Sequence, residues 1–230
     1  MALTTGHPGS RRSGNREASS PEVPSKVYRG IARYYDRRVL AHGATARGAD
    51  WSSFITQEVR FAQLLKLCDF SGPFSLNDVG CGYGALISYL AKYHPETEID
   101  YLGFDVSPAM IRHAMEVRWD LSNATAVVAD ACPRVADYSV ASGIFNVKLD
   151  TPLDMWERCI ARTLRDVRRS SRRGFAVNFM APSGSSSPEM HYWTVPKPWI
   201  AFCRKELQAS VEVLADYGLR EFTLLVRPRE

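Results

Sequence analysis

The chain contains no apolar run approaching 18 residues, which leaves no segment able to cross a bilayer as a helix. It also lacks a Cys-x-x-Cys pair and any His-x-x-x-His or His-Glu-x-x-His spacing. No two ligands are therefore set on one helical face, and no metal site is expected. The five cysteines (Cys68, Cys81, Cys132, Cys159, Cys203) are odd in number and stand 13 or more residues apart, as expected of reduced thiols rather than a disulfide framework. Residues 1–10 have no apolar stretch of the kind a secretory signal needs, so a cytoplasmic location is expected. Charge of one sign is also scarce: 29 Lys and Arg against 25 Asp and Glu leave +4, which permits an acidic partner without demanding one.

What is present belongs to a globular protein. The 230 residues are 45% hydrophobic and 11% aromatic, enough to bury a core without a metal or a disulfide. Residues 1–25 are rich in Gly, Ser, Pro and Arg and are expected to form a flexible tail, because little apolar surface there offsets the entropy of ordering. Helical spacing of Val27, Ile31, Tyr34, Tyr35, Val39 and Leu40 predicts a helix over 26–40, and a second amphipathic stretch covers 53–68. Together they suggest an N-terminal helical cap over 26–72.

After Gly72-Pro73 short strands alternate with helices. Strands are predicted at 74–79, 100–105, 125–129, 140–145 and 174–180, with helices at 85–93, 108–119 and 153–170. Such alternation specifies parallel pairing with right-handed crossovers, hence a three-layer α/β sheet over 73–230. The last two strands, 211–215 and 221–227, are joined by too few residues for a helical crossover and must pair antiparallel. The expected sheet is thus seven-stranded and mixed.

The stretch Leu76-Asn-Asp-Val-Gly-Cys-Gly-Tyr-Gly-Ala85 runs from a strand through a glycine turn into a helix. Glycine permits positive φ and close backbone approach, and a helix N-terminus offers unpaired N–H groups. Three carboxylates decide between nucleotides. Asp78, just before the first glycine, would repel a pyrophosphate but attract an amino group. Asp105, 21 residues beyond Gly84, suits a ribose diol, and Asp130, ending the third strand, can accept from an adenine amine or form a turn. Amine, ribose and adenine in that order describe S-adenosylmethionine.

These segments, Asp78-Val-Gly-Cys-Gly-Tyr-Gly84, Gly103-Phe-Asp-Val-Ser-Pro-Ala-Met-Ile111 and Val128-Ala-Asp-Ala131, resemble the first three motifs of class I S-adenosylmethionine-dependent methyltransferases of the small free-standing bacterial type. The resemblance implies a Rossmann-like three-layer sandwich. It also implies that Gly80 and Gly82 contact the methionine portion, Asp105 the ribose, Val106 the adenine face and Asp130 with Ala131 the adenine edge. The turn Ser142-Gly143-Ile144 would face the methionine group.

The acceptor is less legible. Exocyclic-nitrogen methylases carry a [D/N/S]-P-P-[Y/F] motif at the end of the fourth strand, where this chain has Gly143-Ile-Phe-Asn146. The expected acceptor is therefore an oxygen or nitrogen of a small molecule. Two alternatives stay open: an RNA methyltransferase using the arginines at 165, 168, 169, 172 and 173, or a cofactor-binding protein without catalysis. The stretch from Tyr34 to Arg60-Phe61 resembles the entry region of small free-standing bacterial methyltransferases, which implies that Tyr35 and Arg60 lie near the methionine end; the alternative is that Tyr35 packs in the helix pair and Arg60 pairs with an acid. The long loop 181–193 is expected to act as a lid, with His191 as a base and its aromatics around the methyl cation, or else merely to dock on the core. No residue encodes the oligomeric state.

Overall fold

A computed structural model describes residues 22–116, 123–182 and 189–229. Helices α1 (Glu22–His42) and α2 (Phe54–Leu65) precede β1 (Phe74–Val79), α3 (Ala85–Tyr93), β2 (Ile99–Asp105), α4 (Pro108–Glu116), β3 (Ala124–Val128) and β4 (Ala136–Ala141). Then follow α5 (Leu153–Arg169), β5 (Ser171–Met180), α6 (Pro196–Glu206), β6 (Ala209–Leu214) and β7 (Glu221–Pro228). Residues 1–21 of the expected tail lie outside the described residues, whereas α1 begins four residues ahead of the position that apolar spacing predicts.

The seven strands form one mixed sheet in the order β3-β2-β1-β4-β5-β7-β6. Strands β1 to β5 pair parallel, and β7 runs antiparallel between β5 and β6. Because β1 lies between β2 and β4, the chain winds outward to β3 and then returns to wind the other way. That reversal opens a crevice at the C-terminal ends of β1 and β4, where ligands bind in sheets of this kind.

The central strands are apolar on both faces, as a sheet covered by helices requires, and β1 and β4 share the burial pattern of two-sided strands. One core cluster joins Val79 and Val177 to Trp156, Ile160 and Leu164 of α5 and to Trp199 and Cys203 of α6. The other joins Leu76 and Val140 to Leu64 of α2 and to Leu86 and Leu90 of α3. Leu64, Leu76 and Leu90 are wholly buried, each contributing about 1.5–3 kcal/mol.

Two expectations need correction. The fourth strand spans 136–141 rather than 140–145, because Gly143 turns the chain with φ +70° and the Asn146 N–H bonds back to the Gly143 carbonyl. Phe145 and Val147 are apolar because they dive into the core beyond the turn, which mimics a strand in the sequence. Helix α6 has no counterpart in the predicted elements, although Pro196 at its opening and Trp199, Cys203 and Leu207 at four-residue intervals carry the signal.

Candidate active site

Above the crevice lies a cleft whose empty space, open mouth included, is about 910 Å³. Its floor is Val79, Gly80, Gly82, Phe104, Asp105, Val106, Ala129 and Asp130, and the turn after β4 adds Ser142, Gly143, Ile144 and Phe145. The helical cap supplies the roof through Tyr28, Ile31, Tyr35, Ala49 and Trp51.

The glycine turn is shaped by geometry that other residues cannot copy. Gly80, Gly82 and Gly84 have φ of +69°, +56° and +85°. A Cβ on Gly80 would overlap the Ile144 side chain, so the turn stays bare and seats closely against the β4 turn. Gly84 then caps α3 in the left-handed conformation.

Asp105 locks this turn to the next. One carboxylate oxygen accepts from the Gly82 N–H at 3.0 Å and the other from the Ser107 N–H at 2.8 Å. Each oxygen keeps a second lone pair for a ligand. Burial raises its pKa, against the pull of those N–H groups. Ser107 caps α4 by accepting from the Met110 N–H at 3.1 Å and donates to Asp36 of α1 at 2.6 Å, so the cap is tied to the same loop.

The other expected residues separate into two groups. Val106, Asp130, Gly143 and Tyr35 line the cleft with Gly80, Gly82 and Asp105, whereas Asp78 and Ala131 do not. Asp78 is 3% exposed beneath the turn and accepts from the Tyr101 hydroxyl at 2.7 Å. Burial, reinforced by the nearby Asp105 charge and opposed by the Tyr101 bond, pushes its pKa up to about 7. Burial also drives the Tyr35 hydroxyl far above the ordinary phenol range, with Asp50 and Asp105 adding to it, so Tyr35 holds its proton.

His191 stands away from the cleft wall, paired as an isolated bridge with Val147 and edge-on to Trp193. Its neighbour Tyr192 is buried, donates from its backbone to Asn146 at 2.8 Å and receives the Trp199 indole N–H at 3.2 Å. The described part of the loop thus docks on the core; residues 183–188 of the expected lid lie outside the described residues.

A network that no motif announced joins the cap to the β4 turn. The Gly143 N–H donates to Asn178 at 2.7 Å, and Asn178 donates in turn to Glu221 at 2.7 Å. Arg60 of α2 grips both oxygens of Glu221 through Nε at 3.0 and 2.9 Å, with Nη2 on the same carboxylate. Its guanidinium carbon lies 4.0 Å from the centre of the Trp51 ring. The benzo edge of Trp51 packs where a Gly143 Cβ would be, closing the circuit. The signal in the sequence was a lone arginine in the apolar face of α2, which only a buried acid could match.

The arginine run is largely engaged. Arg165 pairs with Glu206, Arg169 with Asp166, Arg172 with Asp137 and Arg173 with Asp69, at 3.3–3.5 Å. Arg172 and Arg173 belong to β5 rather than to the end of a helix. Among the described residues no helix is long and apolar enough to cross a membrane, and no cluster suited to a metal ion occurs.

Residues 77–174 match the model of a family described as a methyltransferase domain. The protein named "Putative methyltransferase Rv1506c" of Mycobacterium tuberculosis is 43% identical over 166 residues, spanning 71% of this chain and 98% of that protein. The fold is shared with magnesium protoporphyrin IX methyltransferase from Synechocystis, solved with S-adenosylhomocysteine (TM-score 0.59, 13% identity, 91% of this chain and 100% of that one). It is shared likewise with DhpI in its S-adenosylhomocysteine complex (TM-score 0.59, 14% identity, 88% and 97%).

Proposed function

Because the chain belongs to the class I S-adenosylmethionine-dependent methyltransferases, we propose that it moves the methyl group to an oxygen or nitrogen of a small-molecule acceptor in the cytoplasm. The observation that supports the acceptor class is the roof: Tyr28, Ile31 and Tyr35 of α1 and Trp51 of the following loop line the cleft from above and partly cover it. The arginine run supports no nucleic-acid surface, since four of its five members pair with acids of this chain.

The residues fit the cofactor. The open turn at Gly82 and the backbone of Gly80 and Gly143, against which Ile144 and Trp51 pack, offer a lining for the methionine end, and the spare lone pairs of Asp105 suit the ribose diol. Val106 suits the adenine face, and Asp130 with the backbone around Ala131 its edge. The buried Ser142 hydroxyl has no partner of its own beside the methionine end. Asp78 acts from below, where its charge favours an ammonium group without touching the cleft wall.

S-adenosylmethionine supplies a methyl group already activated by a sulfonium. The work left to the chain is to hold the acceptor in line and keep water out, an advantage of up to about 7–11 kcal/mol for well-oriented reactants. Tyr35, holding its proton, serves as a hydrogen-bond donor to the reactants and not as their base. His191 is not among the residues that line the cleft, so His191→Ala should leave turnover largely unchanged.

Isotopically labelled methyl donor incubated with the protein and a metabolite extract tests the reading by mass spectrometry. Label is expected in a small metabolite; label recovered only in RNA or protein would overturn it.

A further inference from the structure

The Trp51 indole sits where the two halves of the sheet part. Val79 and Ala141 are paired in register, so Gly80 and the 142–144 turn lie side by side at the end proposed above for the methionine group. Trp51 packs on Gly143 there and lines the cleft, while Arg60 covers one face of the ring and is itself no part of the wall. With one face covered by Arg60, the part of the ring that lines the cleft is its other face or its edge.

We propose that Trp51 reads the positive charge of the donor, so that the cleft favours S-adenosylmethionine over the spent S-adenosylhomocysteine. The inference rests on the placement of the methionine end given above. A π face attracts a cation and is indifferent to a neutral thioether, and the attraction grows where water is excluded. Arg60 on the opposite face would by itself cancel that effect. Its charge is matched by Glu221, which binds it through both oxygens and is held in turn by Asn178, so the pair brings no net charge to the ring. The remaining charged groups lining the cleft, Asp105 and Asp130, are acids.

A buried ion pair is a poor device for stability. Here it has a different use: it fixes the ring without charging it. The second anchor is Asp50, at φ +64°, whose carboxylate takes the Tyr34 hydroxyl at 2.6 Å and Arg38 at 2.7 Å. The neighbouring indole is thereby held from both sides of the loop.

Titration calorimetry with S-adenosylmethionine and S-adenosylhomocysteine tests this without knowledge of the acceptor. Trp51→Leu is expected to weaken S-adenosylmethionine about tenfold and S-adenosylhomocysteine less than twofold, with Trp51→Phe between. The analogue that carries a protonated amine in place of the methylsulfonium should behave as S-adenosylmethionine does. Glu221→Gln leaves the Arg60 charge bare against the ring and should weaken the cationic ligands selectively. Equal losses for charged and neutral ligands in the Trp51 variants, or no loss for either, would overturn the proposal. Asp105→Ala separates the two readings: it should weaken both ligands alike, and unchanged binding of both would strike the assignment of the cleft itself.

Discussion

Asp78 and Glu221 are both buried carboxylates of one sheet, 3% and 6% exposed, and the chain treats them oppositely. Glu221 meets a guanidinium across both oxygens and an amide besides. Asp78 has a phenol hydroxyl and no cation, so burial, with the Asp105 charge beside it, pushes its pKa up to about 7 against the pull of the Tyr101 bond. The first is a completed contact that fastens the cap to the C-terminal hairpin. The second is negative potential stored under a ligand site, costly until a positive group arrives above it.

The contrast predicts that breaking the completed contact does the most damage. Glu221→Ala strands the Arg60 charge and should cost about 3–5 kcal/mol in chemical denaturation. A loss below about 1 kcal/mol would show that water already relieves Arg60. Next comes the ligand-facing acid: Asp105→Ala should lower affinity for the cofactor by at least about tenfold in calorimetry, from charge-assisted bonds of about 1.5–3 kcal/mol.

The smallest effect is the one that depends on pH. Asp78 binds its proton more tightly folded than unfolded, where the ordinary value is 3.8, so the free protein loses stability as pH rises from about 4 through about 7. Asp78→Asn escapes that loss. Its urea midpoint relative to the unaltered protein should therefore improve between pH 5 and pH 8, by an amount equivalent to a few kcal/mol at most. A constant difference would mean that the carboxylate is ionised and matched in the fold.

The same two acids mark how far the sequence could be read. Asp78 lies two residues before Gly80, whose turn takes positive φ, and Asp105 ends the next strand at the spacing a ribose acid needs, so the sequence announces both, and strands β1 and β2 fall within one residue of their predicted places. The Arg60–Glu221 contact spans 161 positions: the apolar face around Arg60 signals a buried acid, but nothing local identifies Glu221 as that acid. The misplaced fourth strand has a similar cause, since an apolar run that enters the core after a turn reads like a strand until the turn is seen. Tyr35 was legible as a cleft residue through the family resemblance, helical spacing giving only its helix, whereas the position of His191 depends on how a long loop returns, which no periodicity encodes.

The span of that ion pair also bears on how the protein is made. Synthesis runs from the N-terminus, and α2 leaves the ribosome long before β7 exists. Until residue 221 has emerged, Arg60 has no acid to hold and Trp51 no backing, so the roof of the cleft is unsecured. A chain that stops short of β7 can carry the glycine turn, but the roof over it is completed only when Glu221 of that strand meets Arg60.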